Sequence, residues 1–162
     1  MSILTAVALI VFIIEAQIPV PVPIPGAKLG LANVITLFAL FFNPKKGNAA
    51  VALTTADVFM MLICRIILGA VFSGRIIAFI YSITGGLLGF AAAAALKRFV
   101  SDRQIWVCGV AGAVFHNAGQ ILAAMVVTGT PSIAALLPVM TITAVITGII
   151  TGLAAQFTLQ RL

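Results

Sequence analysis

The sequence predicts an all-α, polytopic membrane protein of six transmembrane helices in a single domain, residues 1–162. Three observations predict it. Of the 162 residues, 63% are hydrophobic and only 7% are charged, against about 25% charged in soluble domains. The apolar residues fall in runs of the length needed to cross a hydrocarbon core of about 30 Å, roughly 20 residues per helix. The breaks between runs are short and hold most of the basic residues and prolines. A spanning segment must pair its own backbone groups, which a helix does.

The first span is residues 2–18, and Glu15 and Gln17 fall near its end. No cleavable leader is expected, because the span lacks a basic flank and a small-residue cleavage site. "PVPVPIPGAK" follows at 19–28. Proline fixes its own φ and has no amide donor, so the alternation Pro21, Pro23, Pro25 gives a stiff, extended segment with few backbone groups to satisfy. Gly26 permits a sharp turn into the next helix. The segment is either a rigid connector or a lid over a cavity. The second span, 29–43, is short and starts below the surface. "NPKKGN" then turns the chain into the third span, 48–72, and the fourth and fifth are 76–97 and 104–128. The sixth, 133–159, is long, with a kink expected at Pro138.

Basic residues orient the bundle. Lys45, Lys46, Lys97, Arg98, Arg103 and Arg161 share one side if both termini are cytoplasmic, and the other side then has Lys28, Arg75 and, near its interface, Arg65. Both termini are therefore expected in the cytoplasm, with the Pro-rich segment on the outer face of the cytoplasmic membrane.

Polar groups at membrane depth need partners or water. With a rise of about 1.5 Å per residue, Glu15, Lys28, Asn33, Arg65, Arg75, His116, Asn117 and Gln120 fall in the outer half, and Asp57 falls near mid-depth. His116 and Gln120 are four apart and share a helix face. Lys28, Asn33, Arg65, Arg75, His116, Asn117 and Gln120 form the candidate binding set, beneath the Pro-rich segment and between the outer halves of the third to sixth spans. The cations would pair an anionic group and the amides and imidazole would orient polar edges. Plainer roles stay open. Glu15 is a candidate ion-pair partner of Lys28, Asp57 is neutral or paired with Arg65, Arg65 and Arg75 can snorkel to headgroups, and His116 can be a hydrogen-bonded core residue. Gly85/Gly89 and Gly148/Gly152 are GxxxG pairs suited to close helix contact, within the bundle or with a partner.

Other functions are excluded or weakened. A net charge of +6 suggests nucleic acid in a soluble chain, but these basic residues do not share a face with aromatics. One histidine without CxxC or HxxxH spacing argues against a metal site, and no cofactor is expected. Cys64 and Cys108 both lie in apolar runs and are read as buried packing residues, not a disulfide.

Taken in order, "PIPGAKLGLANVITLFAL", "PKKGN", "CRIILGAVFSG", "SITGGLLGF", "AGAVFHNAGQILAA" and "ITGIITGLAA" resemble the Gx transporter family over nearly the whole chain. Its members are often labelled heptaprenyl diphosphate synthase component I and are similar to the S components of energy-coupling-factor transporters. The resemblance implies a six-helix S-component-like bundle that binds a vitamin-like or isoprenoid-like small molecule near the outer face. It also implies work with a transmembrane coupling protein and two ATPases. Ser2 and Ala6 keep the spacing, but not the Ala-xxx-Ala identity, of the coupling surface. No DDxxD cluster is present to hold magnesium against a diphosphate, since Glu15, Asp57 and Asp102 are far apart. No Walker A loop is present either. Catalysis is not expected. The alternative to uptake is an accessory membrane role in prenyl diphosphate or quinone metabolism.

Overall fold

The computed structural model describes residues 2–17, 30–42, 53–101 and 103–161. Six α-helices follow one another: α1 Ser2–Glu15, α2 Asn33–Phe41, α3 Thr55–Ser73, α4 Ile76–Leu96, α5 Ile105–Thr128 and α6 Leu137–Gln160. A 3₁₀ segment, Pro131–Leu136, leads directly into α6. Among the described residues four helices, α3, α4, α5 and α6 with its 3₁₀ lead, are long and apolar enough to cross a membrane. α1 has 14 residues and α2 has 9. Of the six expected spans, four correspond to helices of spanning length among the described residues, and α1 and α2 are shorter. Pro21, Pro23, Pro25, Gly26 and Lys28, together with Lys45 and Lys46, lie outside the described residues.

The outer surface of the bundle is oily. Val126 is 83% exposed, Ile76 78% and Val71 71%. In water such side chains would each forgo burial worth about 25 cal/mol per Å²; against lipid tails they lose nothing. Length, composition and exposure together make this a multi-pass membrane protein.

Local chemistry sets the helix ends. α3 begins at a capping box: the Thr54 hydroxyl accepts from the Asp57 amide, while the Asp57 carboxylate accepts from the Thr54 amide at 2.9 Å and its hydroxyl at 2.7 Å. This corrects two expectations for Asp57. It sits in the first turn of its helix and not at mid-depth, and it caps its own N-terminus, where a neutral acid or a pair with Arg65 was expected. α3 and α5 stop at Gly74 and Gly129, whose φ of 61° and 64° is left-handed. Pro138 occupies the first turn of α6, so the expected kink is absent: there its missing N–H breaks no helical bond. Cys108 is buried, but Cys64 is exposed on the outside of the bundle, and both are free thiols.

α5 packs most extensively, against α4 on one side and α6 on the other. The contacts are backbone to backbone at glycines. A Cβ on Gly89 would lie 2.6 Å from the Gly112 carbonyl, and one on Gly119 would lie 2.8 Å from the Thr84 carbonyl. On the other flank, a Cβ on Gly109 would lie 2.6 Å from the Gly148 carbonyl, and one on Gly152 would lie 2.5 Å from the Trp106 Cα. Both GxxxG pairs are therefore used within the bundle. α2, although the shortest helix, contacts all five others, and Thr36, Leu37, Ala39 and Leu40 are buried there.

These contacts predict unequal responses to the same substitution. Gly152→Ala forces its methyl into backbone and is expected to cost about 1–3 kcal/mol. Gly112→Ala meets only ordinary contacts, 3.4 Å to the Gly89 carbonyl and 3.6 Å to the Ala93 Cβ. Ala is also the better helix former by about 1 kcal/mol, so this variant is expected to be neutral or more stable. Equilibrium unfolding in mixed micelles checks the pair.

Candidate functional site

The site is built outward from the start of α2. Gly30, with φ 82°, turns the backbone so that amides ahead of α2 point at the end of α1. There the Glu15 carboxylate, 2% exposed, accepts from the Gly30 amide and from the Ala32 amide at 3.2 Å. An anion suits this place, because the first amides of a helix have no intrahelical partner and carry partial positive charge. Glu15 thus holds two backbone amides directly; its expected partner, Lys28, lies outside the described residues. The Glu15 charge also acts on Arg65 of α3, which is buried and donates from Nη2 to Asn33 Oδ1 at 3.4 Å.

On the opposite flank stands His116 of α5. A Cβ on Gly30 would lie 3.2 Å from the His116 ring and 3.0 Å from Asn33 Nδ2, so glycine lets the chain pass between them. Gln120 Nε2 lies 2.6 Å from His116 Nε2. The amide is the donor, so the ring accepts at Nε2. The Gly85 backbone presses on the same imidazole, at 3.0 Å from Nδ1 to an added Cβ.

Of the candidate binding set, Asn33, Arg65, His116 and Gln120 come together around the start of α2. Asn117 does not join them. It faces α6 and donates to the Met140 carbonyl at 2.9 Å. Arg75 is exposed at the junction before α4. Among the described residues no three His, Cys, Asp or Glu side chains gather as a metal site would require.

A cavity of about 30 Å³, continuous with a recess open to the surface, lies on the other side of Asn33. It runs from Gly30 and Asn33 past Thr36 to Leu40 of α2. Its walls are Gly86–Ala93 of α4, Cys108–Ala113 of α5, Leu62 of α3, and Thr147 and Thr151 of α6. The expected pocket lay between the Pro-rich segment and the α3–α6 halves nearest it. This cavity extends into the half of the bundle that holds the start of α5 and the end of α4, and of the candidate binding residues among those described Asn33 lines it. The sequence reading passed over Thr36. Its hydroxyl is buried and has no partner among the described residues, a situation that costs about 1–3 kcal/mol. The readable signal was a polar residue one turn after Asn33, on the same face of α2.

The sequence profile of the family described as heptaprenyl diphosphate synthase component I matches residues 4–158, and the chain belongs to that family. No curated protein and no solved structure matches it.

The polar cluster predicts strong coupling between its charges. Glu15→Ala strands the Gly30 and Ala32 amides and removes the charge opposite Arg65, and is expected to cost about 3 kcal/mol. Arg65→Leu in that background is expected to recover part of the loss. A double-mutant cycle on thermal unfolding in nanodiscs reads the coupling; additive effects contradict it.

Proposed function

We propose that this member of the heptaprenyl diphosphate synthase component I family is a non-catalytic membrane subunit that binds a small molecule inside its helix bundle and serves its uptake with an energy-coupling partner. One observation carries the reading: the cavity and its recess between α2 and α3–α6, bounded at one end by Asn33 and the buried Glu15–Arg65 cluster. A bundle made only to fill the membrane gains nothing from an internal void, because unfilled space forfeits packing contacts. The basic residues Lys97, Arg98, Arg103 and Arg161 favour cytoplasmic termini. In that orientation the cluster lies between the cavity and the outer face, and the substrate must pass it. The chain lacks the Asp-rich cluster of prenyl elongation and any Walker A loop, so energy or catalysis must come from a partner.

A second reading draws on the family description, which names a component of a synthase. In that reading the same subunit holds a prenyl substrate or product for a partner enzyme. Affinity purification of the tagged full chain from native membranes, with mass spectrometry of the retained proteins, separates the two. Recovery of a transmembrane coupling protein with two ATPases is expected. Recovery of a soluble Asp-rich prenyl synthase without ATPases overturns uptake in favour of the accessory role, and recovery of neither overturns both.

A further inference from the structure

A threonine inside a membrane helix can return its hydroxyl to a carbonyl one turn back. Thr84, Thr128, Thr143, Thr147, Thr151 and Thr158 all do so. Thr36 does not. It is 6% exposed, it lies within α2 and on the cavity wall, and its hydroxyl meets no partner among the described residues. An isolated buried hydroxyl is costly, and native interiors satisfy such groups with protein or with ordered water.

Size decides what this wall can hold. The cavity measures about 30 Å³. A water needs about 10–15 Å³ of such space, whereas small-molecule sites run to roughly 300 Å³ or more. One or two waters fit, and an organic ligand does not. The chemistry of the wall gives the same answer. Thr147 and Thr151 of α6, a helix that packs against α2, share the wall with Thr36. Both donate their protons within α6, so towards the cavity their hydroxyls can only accept. Asn33, one turn before Thr36, is on the wall as well. A buried water requires two to four polar partners, and these four side chains are of the right kind. Water is also the smallest neutral group that donates two protons to acceptors while accepting one from Thr36.

From the unpartnered Thr36 hydroxyl in a cavity of this size, we infer that the cavity is a hydration site: one or two buried waters, hydrogen-bonded to Thr36, bridge α2 to Thr147 and Thr151 of α6. A bridging water is nearly as good enthalpically as a direct hydrogen bond. Glu15 holds the residues just ahead of α2 to the end of α1, and the water holds the first turn of α2 to α6. Two polar ties, from the first helix and the last, thus fix the shortest one. The inference holds whether the subunit serves uptake or a partner enzyme.

The test uses the purified full chain in nanodiscs, without ligand or partner, and hydroxyl-radical footprinting read by mass spectrometry. Brief X-ray irradiation makes radicals from water, and these oxidise a buried side chain only where a water lies beside it. Cys108 is 0% exposed and lines the cavity, so its oxidation is expected. Met140, 1% exposed in a separate core cluster, is the reactive control and is expected to stay intact. Thr36→Val keeps side-chain shape and removes the hydroxyl. It is expected to abolish most of the Cys108 oxidation and to lower the melting temperature by about 2–4 °C, as loss of a bridge requires. A dry cavity gives the opposite sign, because the variant then removes only an unsatisfied group. Thr36→Ser keeps the hydroxyl and is expected to keep the oxidation. Cys108 as protected as Met140 in the native chain, Cys108 oxidation indifferent to Thr36→Val, or a melting temperature raised by that variant overturns the inference. Partner recovery from native membranes is scored separately, so neither result stands in for the other.

Discussion

The architecture depends on one carboxylate. α2 has only nine residues, and the amides just ahead of it lie partly or wholly buried against the end of α1. Glu15 meets the amides of Gly30 and Ala32, and hydrogen bonds to a charged group are each worth about 1.5–3 kcal/mol. That tie places α2 against all five other helices. The placement in turn brings Asn33 to Arg65, carries Gly30 past His116, and sets Thr36 on the cavity wall. A neutral residue at position 15 would leave buried donors unsatisfied just where the bundle converges.

A second constraint operates between backbones. Lipid offers no hydrophobic drive to bring helices together, so α5 gains its position by contact area and not by burial from water. Glycines at 85, 89, 109, 119, 148 and 152 let α4, α5 and α6 approach until main-chain atoms touch. Gly112 supplies the carbonyl that Gly89 approaches, and Gly86 stands against the terminal methyl of Ile66 on α3, so these glycines too serve helix contacts.

Much of this fold could be read from the chain. Hydropathy alone located α3 to α6 to within a few residues at most ends, because a lipid-crossing helix must be apolar along its length. The GxxxG pairs were equally legible, since their spacing is the contact. Depth was not. Asp57 looked like an acid at mid-membrane because the apolar run was taken to start at residue 48, while the Thr54 and Asp57 capping box puts the helix start at Thr55. The polar cluster was legible in part. Asn33, Arg65, His116 and Gln120 were singled out as unusual in lipid and do converge, yet the partner of Glu15 is main chain, which carries no letter in a sequence. The cavity was least legible, because a void is defined by atoms that are missing from several helices at once.

The threonine column of α6 has a mechanical consequence. Thr143, Thr147 and Thr151 recur every four residues and each shares a carbonyl with the helix ladder. Such sharing loosens the ladder and favours curvature. Two of the three stand on the cavity wall, facing the rigid glycine seam between α4 and α5. Between Gly148 and Gly152, which press on the α5 backbone, the loosened ladder is held in place, so any curvature of α6 is set by that contact.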